Sequence, residues 1–311
     1  MTHSKRRHDI VISFLPKELD CDRGLTLWRY MKLSTFFLLL EGTAFFPSVG
    51  TLRSGDPLEG DLHAEPEWLI GKLDDLSEGT FKKLTNWLLC KATKSEREHH
   101  RLNHDNASYS ARFFADLYIR ELAKRRVVWC WFASHTEGAG MWSIYGHNGI
   151  AVRTSIGGLH NALPNNRNFQ IARIRYAGRE PNAPDRFNPE ARDDDPRIHR
   201  PHLVKGAEYE CEKEVRVVTA CDGEEKGVLV RGINVGRLIE EVVISPLLPR
   251  EEAEAIKTLI GKHPWNSRPV IRRSSLLGER AVARYESLSA MDEFFGNMTI
   301  ESGLPPLIAS L

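Results

Sequence analysis

Three glutamates and one arginine recur at every second position of a single segment, as Glu210, Glu212, Glu214 and Arg216. Because side chains alternate between the two faces of a β-strand, an extended segment over residues 209–218 would place all four on one face. Like charges at this spacing repel and raise one another's pKa values. The pattern indicates either a carboxylate site or a solvent-facing strand in which Arg216 relieves the repulsion.

Asp56 and Glu59 add two more acidic side chains, in a loop over residues 48–65 that is rich in glycine and proline. Together with Glu212 and Glu214 they could hold magnesium ions that clamp an in-line phosphoryl displacement, so a metal-dependent nuclease is one alternative. The net charge of +1 speaks against it, because nucleases normally present a more basic surface.

Two histidines, His100 and His104, have the i, i+4 spacing that can bind a metal on one helix face. The metalloprotease pattern also requires a glutamate between the histidines, and residues 101–103 contain none. We therefore interpret this stretch as a polar, solvated helix and expect no metal cofactor.

Composition indicates a globular protein of a reducing compartment. The chain has 311 residues, enough to bury a sizeable core, and its 43 basic and 42 acidic residues create no global field that would attract nucleic acid or an anionic membrane. The five cysteines include no C-x-x-C pair. The apolar stretch at residues 10–15 is too short for a signal peptide or a membrane span. We expect a cytoplasmic protein without membrane contact.

The apolar periodicity predicts an α+β fold. Strands are predicted at residues 9–15, 25–31, 44–46, 127–133, 149–154, 169–176, 209–218, 227–234, 241–245 and 269–272, and helices at residues 35–41, 141–145 and 249–261. The strand at residues 127–133 is apolar on both faces and is expected to be central.

One domain over residues 1–311 would then contain a mixed, largely antiparallel sheet of about six to eight strands. A helical insertion is expected at about residues 66–126, a mobile loop at about 179–201, and a C-terminal helix and tail at about 275–311.

A set of short motifs occurs in an order that resembles a bacterial family, the domain of unknown function 2971. The motifs span about residues 25–245 and are Trp28-Arg29-Tyr30, Gly55-Asp56-Pro57-Leu58-Glu59-Gly60, Val128-Trp129-Cys130-Trp131-Phe132, Met141-Trp142 with Tyr145, Gly149-Ile150-Ala151-Val152, and Tyr209 with Glu212, Glu214 and Arg216. The family usually has asparagine where this chain has Gly55. The family name itself implies no activity.

The layout is also analogous to that of ADP-ribosyltransferase-like folds, which implies a sheet of that type and NAD as a substrate. Such enzymes carry a basic residue on an early strand, a serine and an aromatic residue near a central strand, and a glutamate on a late strand. The residues that resemble this arrangement are Arg29, Ser134, Trp142 or Tyr145, and Glu212 or Glu214.

The analogy implies a role for each residue. Glu212 or Glu214 would stabilise the positive charge that develops on the ribose when the nicotinamide bond breaks, and the other would orient or deprotonate the acceptor. Arg29 would bind the diphosphate, with Arg216 as a further pocket residue. Tyr30, Trp142 and Tyr145 would stack on the rings of NAD, although core packing is the alternative for each of these aromatic residues.

We therefore expect an enzyme that transfers ADP-ribose from NAD to a nucleic acid or protein acceptor, or that hydrolyses NAD, with a toxin or anti-phage defence role. A non-enzymatic sensor that binds a partner protein through the charged strand and the loop at 179–201 is another alternative. The preferred hypothesis places Glu212 and Glu214 in a pocket shared with Arg29, Trp142 and Tyr145, and Glu210 nearer the rim.

Overall fold

The computed structural model describes residues 13–14, 22–53, 56, 59, 76–177, 201–222, 226–265 and 267–276. Its strands are β1 (Ser13–Phe14), β2 (Thr26–Lys32), β3 (Thr43–Pro47), β4 (Arg126–Ala133), β5 (Gly149–Ser155), β6 (Gln170–Arg173), β7 (Arg175–Ala177), β8 (Val204–Gly206), β9 (Glu214–Ala220), β10 (Gly227–Arg231), β11 (Glu241–Ile244) and β12 (Val270–Arg273). Its α-helices are α1 (Leu33–Leu40), α2 (Val49–Leu52), α3 (Glu78–Lys91), α4 (Lys94–Asn103), α5 (Ala107–Arg125), α6 (Ala139–Tyr145), α7 (Ile156–Ala162), α8 (Val235–Leu238) and α9 (Arg250–Gly261). Two 3-10 helices cover Pro201–Leu203 and Ala207–Glu212.

The centre of the molecule is an eight-stranded mixed sheet in the order β1-β6-β9-β4-β2-β5-β11-β12. The two outermost pairs, β1 with β6 and β11 with β12, are parallel, and the pairs between them are antiparallel. The predicted α+β class and largely antiparallel sheet are confirmed. As expected, the apolar strand β4 lies near the middle.

One face of the sheet carries the larger hydrophobic core. Residues of β2, β4 and β9 such as Leu27, Trp129 and Val217 pack there against the two-stranded ribbon of β3 and β10 and against α1, α7 and α9. These elements are short and amphipathic, so burying their apolar sides against the sheet stabilises them more than their intrinsic helix propensity does. We call this side the first face.

The opposite side, the second face, is covered by different elements. At one end Val128 and Val218 pack against Ala123 of α5 and Val49 of α2. Along the rest, an aromatic cluster of Trp28, Tyr30, Phe132 and Trp142 forms with Ala151 and Val243, and Trp142 belongs to α6. The second face thus combines apolar packing with the charged side chains described below.

Helices α3, α4 and α5 lie in the segment where a helical insertion is predicted. Helices α3 and α5 pack on each other through small apolar clusters that include Leu88 and Leu117, and α5 runs directly into β4. Helix α4 joins α5 through the ion pair of Glu96 with Arg120. Thr93 and Glu96 form a capping box at the start of α4. No helix among the described residues is long and apolar enough to cross a membrane.

Some predicted segments differ or are outside the described residues. Residues 169–176 form two short strands instead of one: β6 pairs with β9, and β7 pairs with β8. The predicted loop at 48–65 begins with the short helix α2, which Ser48 caps through its side chain. The stretches 178–200 and 277–311, which contain most of the predicted mobile loop and C-terminal helix, are outside the described residues.

Candidate functional site

The segment that carries the alternating glutamates is not one strand. Residues Ala207–Glu212 form a 3-10 helix, Lys213 adopts a left-handed conformation with φ of 45°, and β9 begins only at Glu214. The N–H of Lys213 bonds to the carbonyl of Glu210 at 3.0 Å, which ends the helix before the sheet can continue. The prediction of an extended segment is therefore wrong for residues 209–213.

The left-handed turn at Lys213 nevertheless brings two of the three glutamates together. Lys205 of β8 places its Nζ 2.7 Å from Glu212 Oε2 and 3.6 Å from Glu214 Oε2. All three side chains are buried, whereas Glu210 is exposed. Lys205 was not among the predicted site residues, although a lysine inside the apolar run 203–206 was a usable signal.

Arg216 binds the other side of Glu214. Its Nε and Nη2 atoms lie 2.6 and 3.1 Å from the two carboxylate oxygens of Glu214, and Nη1 lies 2.5 Å from Glu59 Oε1. Nη1 also donates to the carbonyl of His202 at 2.9 Å. We call Glu59, Lys205, Glu212, Glu214 and Arg216 the buried charge cluster. Asp56, which is also buried, accepts the N–H of Glu59 with its carbonyl oxygen.

The electrostatics of the cluster keep Glu214 ionised. Burial alone would raise the pKa of Glu214, but Arg216, Lys205 and a hydrogen bond from the Cys130 thiol outweigh burial and hold that pKa below its usual value. Burial would lower the pKa values of Arg216 and Lys205, and the neighbouring glutamates raise both above their usual values. Both carboxylate oxygens of Glu214 thus accept hydrogen bonds from Arg216 in an ion pair.

Tyr145 connects the cluster to the protein surface. Its hydroxyl donates to Glu212 Oε1 at 2.8 Å, and its ring lies 5.2 Å from that of Phe132 while 39 % of the residue remains exposed. Burial, followed by the adjacent Glu212 and Glu214, raises the pKa of Tyr145, so the phenol keeps its proton. Of the two predicted glutamates, Glu212 is the one in contact with an accessible side chain.

Tyr30 and Trp142 lie deeper than the analogy implies. Their rings pack edge to face at 4.9 Å, and the residues are 5 % and 1 % exposed. The hydroxyl of Tyr30 accepts the N–H of Gly138 at 2.7 Å, and burial raises the pKa of Tyr30 to about 12. These two residues pack in the core under α6, so the core-packing alternative describes them better than ring stacking on a ligand.

Arg29 lies between β2 and β4, near Glu214. In the strand register Arg29 lies opposite Val152 on the first face, whereas Glu214 lies opposite Phe132 on the second. Strands β2 and β4 pair through only two residues, and the guanidinium of Arg29 donates to the carbonyl of Cys130 where they diverge. Its Cζ atom also lies 5.5 Å from the ring centroid of Trp129. Burial lowers the pKa of Arg29, and the nearby Cys130 and Glu214 act in the opposite direction, so the Arg29 guanidinium is within electrostatic range of Glu214 although its strand parity is opposite. A pocket that Arg29 shares with both glutamates, Trp142 and Tyr145 stays a prediction.

A second set of charges on the second face holds α6 in place, and we call it the edge network. Glu137 bonds to Arg272 of β12 at 2.7 Å and to the indole N–H of Trp142 at 3.1 Å. Glu241 of β11 joins Arg272 and Arg153, each at 2.6 Å. Sequence reasoning missed this network because its members are far apart along the chain.

Ser134 lies in a cleft of about 480 Å³ at the shared edge where β4 and β6 end and β2 and β9 begin. We call it the strand-end cleft. It is lined by Leu25, Ala133, Ser134, His135, Thr136, Arg173, Ile174, Tyr176, Glu210, Lys213 and Glu214. Ala133 and Arg173 belong to the first face, whereas Ile174, Tyr176 and Glu214 belong to the second, so residues of both faces meet at the cleft.

The geometry of the described residues gives little support to the two metal-site alternatives. In the parts of the chain that the structure describes, no three His, Cys, Asp or Glu side chains are grouped to hold a metal ion. His100 stacks on Phe113 at 4.5 Å, so this side chain packs against aromatic rings, whereas the sequence predicts a solvated helix. The guanidinium of Arg216 lies between the carboxylates of Glu59 and Glu214. A metal-dependent nuclease would need metal ions at that position.

No family model, no curated protein and no solved structure matches the chain.

Proposed function

We propose that the chain is an NAD-consuming enzyme of the ADP-ribosyltransferase-like type, as the analogy between its motif order and that of such enzymes implies. The observation that carries the proposal is the contact of Glu212 with Tyr145 and Lys205 at the accessible end of the buried charge cluster. A carboxylate fixed by two donors in a region of little water suits a reaction that develops positive charge on a sugar.

The contacts assign different roles to the two glutamates. Glu212 would face the ribose and stabilise the oxocarbenium-like charge as the bond to nicotinamide breaks and nicotinamide leaves with the bonding electrons. It would then take the proton of the water or the macromolecular hydroxyl, amine or amide that attacks the ribose carbon. Glu214 would act indirectly, because Arg216 occupies both of its oxygens and Lys205 links it to Glu212.

Tyr145 would provide the accessible ring surface beside Glu212. It is the predicted aromatic residue that is both exposed and bonded to a glutamate, and its ring rests on Phe132. An aromatic ring fixed in this way could stack on nicotinamide. Tyr30, Trp142 and the edge network would hold α6, and therefore Tyr145, in position.

The test is incubation of the purified chain with NAD, alone and with a cell lysate, while free nicotinamide and label transfer from NAD are measured. We expect Glu212→Gln to lower the rate about 100-fold to 1,000-fold, the usual effect of removing one fixed electrostatic contact to a transition state. Glu208→Gln is the matched control, because Glu208 is exposed on the same 3-10 helix, and it should leave the rate unchanged.

Folding of each variant is verified by its thermal unfolding midpoint. The proposal fails if the wild-type protein consumes no NAD and transfers no label, or if folded Glu212→Gln reacts as fast as the wild type.

A further inference from the structure

Tyr209 belongs to the motif that carries the two glutamates, but the proposed chemistry assigns it no role. It lies on the 3-10 helix Ala207–Glu212, three residues before Glu212. A 3-10 helix has three residues per turn, so side chains three positions apart lie on the same side of it. Tyr209, which is half-buried, and Glu212 therefore share one side of the helix. Glu208 and Glu210, on the other sides, are exposed.

Lys205 of β8 contacts both residues on that side of the helix. Its Nζ atom lies 2.7 Å from Glu212 Oε2 and 4.4 Å from the centroid of the Tyr209 ring. The face of an aromatic ring carries negative electrostatic potential and attracts an ammonium group within about 6 Å. The Glu212 carboxylate and the Tyr209 ring, one turn apart on the 3-10 helix, thus hold the same ammonium.

The surroundings of the Lys205 ammonium both oppose and favour its charge. Burial and the neighbouring Arg216 would lower the pKa of Lys205, and the attraction of Glu214 and Glu212 outweighs both and raises it. Glu214 is the weaker of the two partners, because it lies 3.6 Å from the ammonium and also binds Arg216. A ring adds attraction for the ammonium without adding a further carboxylate, which would repel the two glutamates.

We propose that Tyr209 is a positioning residue whose ring holds the Lys205 ammonium against Glu212 and keeps water away from their contact. The inference rests on the proposed function, in which Glu212 faces the ribose. Water weakens a hydrogen bond between an ammonium and a carboxylate, so excluding it fixes Glu212 more firmly. The ring is the part of Tyr209 that matters, because its hydroxyl has no hydrogen-bond partner in the part of the chain that the structure describes.

The test is a series of substitutions at position 209 of the full chain, with NAD consumption and urea unfolding measured for each variant. Tyr209→Phe keeps the ring face and should retain the wild-type kcat and stability. Tyr209→Leu removes the ring face and should lower kcat about tenfold with little change in KM, because the loosened Glu212 would stabilise the transition state less well. Tyr109→Leu, which changes a half-buried tyrosine of α5, is the matched control and should leave the rate unchanged.

Ring fluorination separates the attraction for the ammonium from simple packing. Phenylalanine with one, two or three ring fluorines at position 209 keeps nearly the same shape, but fluorine withdraws electrons from the ring face and weakens its attraction for a cation. We expect kcat to fall stepwise along this series. The equilibrium constant for unfolding should rise stepwise as well, by about fivefold over the series, which is the usual strength of such a contact.

The two readouts distinguish failure of this inference from failure of the proposed function. A stepwise loss of stability in a chain that consumes no NAD would uphold the contact between Tyr209 and Lys205 and overturn only the proposed function. An active chain in which kcat does not change along the fluorine series, or in which Tyr209→Leu keeps the wild-type kcat, would overturn the positioning role of Tyr209. Unfolding constants that do not change along the series would overturn the contact itself.

Discussion

The guanidinium of Arg216 lies between Glu214 and Glu59 and is inaccessible to solvent. A buried ion pair of this kind adds little net stability compared with an apolar group, but removing one partner leaves the other charge uncompensated. Arg216 is therefore the side chain on which the protonation and position of the neighbouring carboxylates depend. Its contribution can be measured without any knowledge of a substrate.

We expect Arg216→Met to lower the free energy of unfolding at neutral pH by about 3–5 kcal/mol, because Glu59 would lose its cation and Glu214 would keep only the more distant Lys205. Urea unfolding measures this directly. The deficit should shrink as the pH is lowered, since protonation relieves the unpaired carboxylates in the variant.

Arg231→Met, which changes an exposed arginine of β10, is the comparison and should alter stability by less than about 0.5 kcal/mol. A loss in Arg216→Met no larger than in this comparison would show that the two carboxylates do not depend on Arg216.

Single residues were predicted unequally well from the sequence. The alternation of glutamates identified Glu212 and Glu214 as neighbours, and they are neighbours, although a 3-10 helix and one left-handed residue bring them together. The position of Arg29 relative to the glutamates was harder to predict, because it depends on which face of β2 the side chain occupies. Strand pairing decides that face, and local periodicity alone does not reveal it.

At the scale of elements, the junction between the 3-10 helix and β9 depends on Lys213. Among the described residues it is the one non-glycine residue with positive φ. A left-handed conformation costs an L-residue roughly 1–2 kcal/mol, and a β-branched residue tolerates it least. The strain is retained because this turn allows Glu212 and Glu214 to share Lys205.

We expect Lys213→Val to lower the unfolding midpoint clearly, whereas Lys213→Gly should keep it near the wild-type value or raise it slightly. Glycine relieves the strain but adds entropy to the unfolded chain, and the two effects largely cancel. Thermal unfolding of the three proteins measures the difference. Equal midpoints for the valine and glycine variants would mean that residue 213 is not left-handed in solution.

The elements themselves were largely predictable, because most strands carry clear apolar runs bounded by turn residues. The apolar run at 127–133 corresponds to β4, and the helix predicted at 35–41 corresponds to α1, which is followed by Gly42 with φ of 67°. The errors occur where tertiary contacts override the local pattern. Residues 209–213 look like a strand, but contacts of Lys213 with Glu210 and Ala133 fix a turn there.

At the scale of the whole molecule, three glutamates in separate parts of the fold have lowered pKa values, and each makes the free energy of unfolding fall as the pH falls. The pKa of Glu96 is lowered to about 2, mainly by its hydrogen bond to Arg120. Burial opposes the ionisation of Glu214 and Glu241, yet the arginines beside each hold its pKa below the usual value. Groups with lowered pKa values stabilise the fold above their unfolded-state pKa, and that stability is lost as the pH falls.

We therefore expect the free energy of unfolding to be nearly constant near neutral pH and to fall progressively once the pH drops below the ordinary carboxyl value of 4.5 towards 2. Urea unfolding at several pH values and constant ionic strength gives this profile. Glu241→Gln should be less stable at neutral pH and should lose less stability on acidification. Parallel profiles for the two proteins would exclude a stabilising role for the ionised form of Glu241.

The position of Arg272 affects the order in which parts of the protein fold during synthesis. Glu137 and the indole of Trp142 belong to the middle of the chain, but the arginine that completes their network lies on β12, more than a hundred residues later. A nascent chain that has emerged only through β11 would contain Tyr145, Glu212 and Lys205 without the contact that ties the Glu137 segment to the sheet. The ribosome must therefore release most of the protein before α6 is fully anchored, so any activity that depends on Tyr145 would begin late in synthesis.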